Sequence, residues 1–383
     1  MKRFYYRKDN SQRKKSITIA FLGNAAHDTR VTNLTKSLTD DNFNVRVISF
    51  DWTTPKFKTI IGKTSIFKLD KSRSSISYYL NFLRILFSEL LKTNSSIYIA
   101  EDIYTLPIVT FIAKLRKAKL YYNSREFYAF LGGLRNRKTL QATIRGIEKF
   151  FIKKVDQVLV TGEGDAQFLQ EYYGISNTVV IRNLPLERKP ENKIDLRTKF
   201  NIPANDLILL YQGVILEGRG FKPIIEALSE IEDFHLVTLG SGVFQSEYEK
   251  FAEELKISNR VHFIGTIDQS ELINYTAAAD IGLALIENIS KSYYYALPNK
   301  LFEYIMAEIP VLSSNLPQMK NIVEDYNVGE VIDIEKEGEL AARLRSLIIN
   351  RDILSEYKQN CKAASSELNW QKEYEKVKCL FIG

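Results

Sequence analysis

Lys300 and Glu303 stand three residues apart in the stretch Tyr295–Ser313, YALPNKLFEYIMAEIPVLS. That spacing sets a cation and a carboxylate on one face of a helix. Pro298 suits the first turn, where its missing N–H costs nothing. The amides that follow, from Asn299 to Leu301, are then expected to point out of the helix start, where unbonded N–H groups attract phosphate. A lysine beside phosphates and a glutamate accepting from both ribose hydroxyls would suit a nucleoside diphosphate. A surface ion pair on an ordinary helix satisfies the same spacing.

The elements that position this pair alternate in type along the chain. Ser16–Leu22 reads as a buried strand, followed by a loop at Gly23–His27 and a helix from about Asp28 to Asp40. Further strands are expected at Asn44–Phe50, Ser96–Ala100, Lys119–Asn123, Gln157–Thr161 and Thr178–Ile181, with helical patterns between them. The rhythm breaks at Asn183–Asn205, rich in proline and charge, which reads as an inter-domain linker leading into a short helix. It then restarts with strands at Leu207–Gln212, Phe234–Leu239, Arg260–Ile264, Ile281–Leu285, Val311–Ser313 and Glu330–Ile332. Amphipathic patterns at Asp352–Ala364 and Leu368–Leu380 close the chain. This is an α/β pattern of two Rossmann-like halves with mostly parallel sheets. The expected domains are 1–184 and 185–365, with the terminal helix 366–383 packed back on the first.

Composition narrows the chemistry. The chain has 383 residues, a net charge of +7 and 45% hydrophobic residues, which suits two globular domains and excludes a disordered chain. No apolar run is long enough for a membrane-spanning helix. The basic opening MKRFYYRKDNSQRKKS lacks the apolar core of a secretory signal, so a cytoplasmic location is expected. Two cysteines, Cys361 and Cys379, exclude a disulfide framework, and three scattered histidines (His27, His235, His262) argue against a histidine metal centre.

Taken together, PNKLFEYIMAEIPVLSS resembles the donor-nucleotide signature of glycosyltransferase family 4 (glycosyl transferases group 1), retaining enzymes of the GT-B fold. LLYQGVILEGRGFKPIIEAL (Leu209–Leu228), VHFIG, AADIGLALI, GNAAHDTRV with NVRVISF, and YIAEDIYTLP with KLYYNSREF are similar to family segments in the family's order. The resemblance covers nearly the whole chain. It implies two Rossmann-like domains facing across a cleft, an N-terminal acceptor half and a C-terminal nucleotide-sugar half. Arg219 stands where the family places a lysine that grips the donor diphosphate, and Lys300 joins it there. Gly213 admits the phosphates to the backbone, and Gly220 keeps the next helix start open. Glu303 matches the second acidic residue of the family's E-x7-E motif and holds the ribose. The backbone around His262 and Ile264 lies against the base, and Asn299 and Leu301 belong to the nucleotide set. Gly23 and Asn24 match the loop that approaches the diphosphate and the reacting sugar. His27 is a candidate for a direct catalytic or acceptor role. Asp28, Glu101, Asp102, Arg125 and Glu126 fall on the acceptor side.

Three positions depart from the family pattern. Tyr295 replaces the first acidic residue of E-x7-E, leaving Glu287 as a substitute. Val214 stands where many members carry an arginine. Arg125 takes the place of a histidine, cannot serve as a base, and is expected to clamp an anionic or hydroxyl-rich substrate. The implied reaction moves a sugar from a UDP- or GDP-sugar to a hydroxyl of a glycan or lipid-linked acceptor, with retention, without metal or other cofactor, in surface polysaccharide or glycoconjugate assembly. Rival readings are a non-hydrolysing UDP-sugar epimerase, a non-catalytic GT-B binding partner and a nicotinamide dehydrogenase. The last is disfavoured because Gly23-Asn24-Ala25-Ala26 is not G-x-G-x-x-G. Between Lys114 and Lys154 the chain carries twelve cations opposed only by Glu126 and Glu148. The helix-like stretch Lys138–Lys154 interleaves cations with Leu140, Ile144, Ile147, Phe150 and Phe151. This face suits an anionic membrane surface as well as it suits a solvated helix over a core. Nucleic acid is not expected, since no recognised binding motif accompanies the charge.

Overall fold

The computed structural model describes residues 16–53, 56–72 and 74–382. The basic opening stretch 1–15 lies outside the described residues. The chain divides into two compact units: Met1–Phe130, Leu134–Asn183 and Tyr374–Gly383 form one, Leu131–Gly133 and Leu184–Glu373 the other.

In the first unit eight strands run β1 (Ser16–Phe21), β2 (Asn44–Asp51), β3 (Lys58–Ile61), β4 (Thr64–Lys68), β5 (Ile97–Ala100), β6 (Lys119–Ser124), β7 (Gln157–Val160) and β8 (Thr178–Val180). Their order is β3-β4-β2-β1-β5-β6-β7-β8, parallel throughout except for the β3–β4 hairpin. Strand β1 is buried from Ser16 to Ala20, as a parallel strand covered on both faces requires. Successive crossovers leave β1 in opposite directions toward β2 and β5, so the crevice at its carboxyl end is the switch point where such sheets bind ligands. The β3–β4 hairpin is absent from the sequence reading. It turns at Gly62, in the left-handed region, and its outer strand is mostly exposed, so it lacks the apolar run that marks a buried strand.

The second unit holds β9 (Leu207–Gln212), β10 (Phe234–Leu239), β11 (Val261–Gly265), β12 (Ile281–Ala284), β13 (Val311–Ser314) and β14 (Gly329–Ile332). The order β11-β10-β9-β12-β13-β14 is all parallel, with its switch point at β9. Phe221, Ile224, Leu228 and Leu344 pack on one face of the sheet. Leu301, Phe302, Ile305, Met319 and Cys361 pack on the other.

The expected linker is part of this second unit. Leu184, Leu196 and Ile202 enter its core, the helix Leu196–Phe200 is capped by Asp195, and the Arg188 guanidinium donates to the Gln269 carbonyl at 2.9 Å. Proline and charge mark its irregular backbone, while its leucines decide that it is packed. The returning segment of the first unit begins at Tyr374, later than residue 366. There the Tyr374 hydroxyl donates to Asp41 at 2.7 Å, Lys378 pairs with the same carboxylate at 2.6 Å, and Phe381 meets the Tyr121 ring edge-on.

Candidate active site

In the second unit the helix Asn299–Met306 buries Lys300, Leu301, Phe302 and Tyr304. Pro298 is the N-cap with extended backbone (ψ 143°), a correction to its expected place within the first turn. The Leu301 N–H donates to the Pro298 carbonyl at 3.1 Å, so one of the amides expected to be open is already bonded. The Tyr304 hydroxyl accepts the Gln212 backbone N–H at 3.0 Å, which pins the helix to the end of β9.

Lys300 is 7% exposed, and its Nζ has no hydrogen-bond partner. The ammonium lies 3.9 Å from the centre of the Tyr211 ring. Burial, and secondarily the Arg219 charge, hold it well below the ordinary lysine range. The Arg219 guanidinium stacks 4.6 Å from the centre of the Tyr293 ring. Two cations over two aromatic faces at a strand's carboxyl end make a site short of negative charge.

Glu303, half-buried on the same helix, faces β9. Its carboxylate accepts from the Gln212 carboxamide and, at 3.4 Å, from Gln269. Thr276 donates to the Gln212 Oε1 at 2.9 Å, which turns the amide nitrogen toward Glu303. Burial pushes the Glu303 carboxyl up, and the two glutamines oppose it. Its second oxygen has only the longer bond, leaving room for a hydroxyl donor. Gln212, Gln269, Thr276, Tyr211 and Tyr293 were absent from the sequence-derived set, because nothing in their own spacing distinguishes them.

The loops after β9, β10 and β11 are layered backbone on backbone. Gly213 N–H donates to Leu239 O at 2.8 Å, Ile215 N–H to Ser241 O at 3.1 Å, and Gly240 N–H to Gly265 O at 2.7 Å. A Cβ on Gly240 would lie 2.0 Å from Gly213 O, and one on Gly242 2.0 Å from Ile215 O. The Gly-Ser-Gly run directly after β10, which the sequence reading did not single out, marks this approach. Gly213 has φ 127° with open space where a side chain would stand. Gly220, at φ 75°, is the N-cap of the helix Phe221–Ser229, and its N–H donates to Glu287 at 3.2 Å.

Glu287 therefore ties the loops after β9 and β12 together at the switch point. Tyr295 ends the short helix Lys291–Tyr294, and its carbonyl accepts from Gln318. Asn299 is exposed and Leu301 is wholly buried. His262 and Ile264 sit on the edge strand β11. The His262 ring stacks on Phe200 at 4.4 Å and meets His235 Nδ1 at 3.1 Å, while Ile264 packs against the core.

The first unit has its own switch-point constellation. Asp102, after β5, accepts the Leu22 N–H at 2.6 Å and the Thr105 N–H at 2.7 Å. Glu101 is 0% exposed, accepts from Asn123 at 2.8 Å, and has a second oxygen without a partner. Burial pushes both carboxyls up. Glu101 and Asp102, expected on the acceptor side, are both buried: one is interior and the other braces backbone. The Arg125 Nη2 reaches both Asp28 oxygens at 2.9 and 2.7 Å. Asp28 also caps the helix Thr29–Asp40 through Val31 N–H, while Arg30 instead reaches Asn123 at 2.7 Å. Asn24 donates to Asp51 at 3.0 Å, and Gly23 O accepts the Phe50 N–H. His27 and Glu126 are exposed. Among the described residues, no three His, Cys, Asp or Glu side chains are grouped to hold a metal ion.

Residues 192–366, within the second unit, match the model of the glycosyl transferases group 1 family. The match is to this segment of the chain. Arg219, Glu287, Lys300 and Glu303 all lie within it. The lipopolysaccharide core biosynthesis glycosyltransferase LpsE of Rhizobium meliloti is 25% identical over 157 residues, 41% of this chain and 44% of its own length. The chain spans about half the length of the curated relatives it matches. Sucrose-phosphate synthase from Thermosynechococcus elongatus superposes with a TM-score of 0.77 at 17% identity, covering 96% of this chain and 98% of its own. Anabaena HepE, solved in complex with UDP, gives 0.69 at 15% identity, covering 95% and 99%. At such identities the likeness is one of fold: the group 1 segment and the preceding unit are the two parallel-sheet halves of the GT-B architecture.

Proposed function

We propose that the protein is a retaining, metal-independent glycosyltransferase that moves a sugar from a UDP- or GDP-sugar to a hydroxyl of a glycan or lipid-linked acceptor in surface polysaccharide or glycoconjugate assembly. The observation that carries this reading is the Lys300 ammonium, buried without a hydrogen bond beside Arg219. A buried cation is costly unless a counter-charge completes it. A diphosphate supplies that charge, and Glu303 with its free lone pairs accepts from a ribose. LpsE is named for lipopolysaccharide core synthesis, and HepE binds UDP. Both support the substrate class.

In the proposed reaction the bond from the anomeric carbon to the β-phosphate oxygen breaks, and its electron pair leaves with the diphosphate. Lys300 and Arg219 offset the charge that gathers there, in a site with little water to compete. The acceptor oxygen attacks from the face the phosphate leaves, and its proton passes to a phosphate oxygen. Retention follows without the carboxylate pair a hydrolase uses. The Gly23–Asn24 loop, the Asp28–Arg125 pair and His27 are assigned to the acceptor half.

A screen of UDP- and GDP-sugars with a polyisoprenyl-diphosphate glycan acceptor tests the reading. Nucleotide release with sugar transfer is expected, and Lys300→Met is expected to abolish it. An isomerised donor without transfer would make the protein an epimerase, and binding without turnover would make it a non-catalytic binding protein.

A further inference from the structure

Three helices of the first unit, Ser75–Leu91, Leu106–Arg116 and Lys138–Ile152, lie side by side on its sheet. Phe87 and Leu91 are exposed on the first, Phe111 (55%) and Leu115 one turn apart on the second, and Phe150 (58%) on the third. The patch is continuous where the first two helices meet. The Phe87 and Phe111 rings lie 6.0 Å apart, and Arg116 donates to the Leu91 carbonyl at 2.8 Å. Lys154 Nζ sits 3.0 Å above the Phe150 ring.

The charge on this face has one sign. The helices carry only two carboxylates, Glu89 and Glu148, and both are buried. Arg46 and Lys92 engage the first, and the Tyr122 and Tyr173 hydroxyls the second. Every exposed charge on the three helices is therefore positive. Desolvation first, and the Lys114 charge second, lower the Lys154 ammonium, and a nearby anion would offset both. A second copy of this face would oppose cation to cation, and nucleic acid would leave the phenyl and leucine side chains uncovered. The sequence placed a basic face at 114–154. The structure turns Glu148 and Ile152 of that stretch inward and adds Phe87 and Leu91 from the helix before it.

We propose that this three-helix face docks on an anionic lipid bilayer, with Phe87, Phe111, Leu115 and Phe150 entering the headgroup boundary and the lysines pairing with lipid phosphates. Aromatic and leucine side chains among cations are the chemistry of interfacial binding, and the lysines add attraction to the anionic surface potential.

Co-sedimentation of the full chain with vesicles of phosphatidylglycerol and phosphatidylcholine, against phosphatidylcholine alone, tests this at low salt. Binding is expected to the first and not the second. Phe111→Ser with Phe150→Ser is expected to weaken it about tenfold or more, and Lys114→Glu with Lys154→Glu to abolish it. All four side chains reach solvent, so circular dichroism should stay unchanged. Failure to bind either vesicle overturns the proposal. So does binding that survives both double variants, which would assign it to the basic residues 1–15. A concentration-dependent dimer that Phe111→Ser with Phe150→Ser dissolves would make the face a protein interface instead. The assay contains no donor sugar, so its outcome is separate from that of the transfer reading.

Discussion

Lys300→Met exchanges a buried ammonium without a hydrogen bond for an unbranched thioether of similar reach. Because the folded-state pKa is depressed, the unfolded chain holds this proton more tightly. Stability of the ligand-free protein therefore rises with pH from the depressed folded value up to the free lysine value of about 10.4. Near neutral pH the folded state bears either the strain of the charge or the cost of losing the proton, at about 1.4 kcal/mol per unit of depression. Methionine relieves that strain by about 1–3 kcal/mol. In a domain this size, melting of the second unit is expected to rise by about 2–4 °C for each kcal/mol. UDP has the opposite effect. Removing one member of a buried charge pair costs about 2–5 kcal/mol, so affinity is expected to fall about 30-fold or more. Calorimetric melting with and without UDP, together with titration calorimetry, reads both effects. A variant that melts below the wild type, or binds UDP with equal affinity, refutes the claim that an unpaired cation awaits the diphosphate.

Three further outcomes follow from the packing. Gly282 lies under the Tyr304 ring, where an added Cβ would stand 2.3 Å from Cγ. Gly282→Ala is expected to cost about 1–3 kcal/mol by overpacking, and urea unfolding of the second unit measures it. Desolvation, aided by the His235 charge, lowers His262 to about 4. A base depressed in the fold is protonated first in the unfolded chain, so stability should fall as pH drops from about 6.5 toward 4, by about 1–2 kcal/mol once solvent screening of the half-exposed ring is allowed for. His262→Phe should flatten that slope in urea titrations at pH 7 and pH 5. Asp102→Asn keeps one acceptor but turns an amide N–H₂ toward a backbone donor. A loss of about 1–3 kcal/mol in the first unit is expected, and a thermal midpoint equal to the wild type would show that the two N–H bonds to Asp102 are dispensable.

The alternation of apolar runs and amphipathic stretches was legible because parallel strands are buried on both faces. Leu207–Gln212 and Phe234–Leu239 were bounded as the structure bounds them. The β3–β4 hairpin was not, since its edge strand has no buried face to pattern. The Pro-rich stretch after Asn183 reads as a linker by composition, yet Leu184, Leu196 and Ile202 pack it onto the second sheet.

At the site, local spacing after Pro298 put Lys300 and Glu303 on one helix face, and the family resemblance, not the spacing, set them apart from a surface ion pair. Their surroundings were not readable. Tyr211 and Gln212 come from the end of a strand nearly ninety residues earlier in the chain, brought there by the strand order. The same order made Asp102 and Glu287 into braces across switch points, and pairing with Asp28 neutralised Arg125. Sequence determined which segments are strands and helices and which side chains could bind phosphate, since those depend on local periodicity and spacing. Tertiary structure decided which charges remain unpaired and which apolar faces stay open, since desolvation and pairing depend on neighbours distant in the chain.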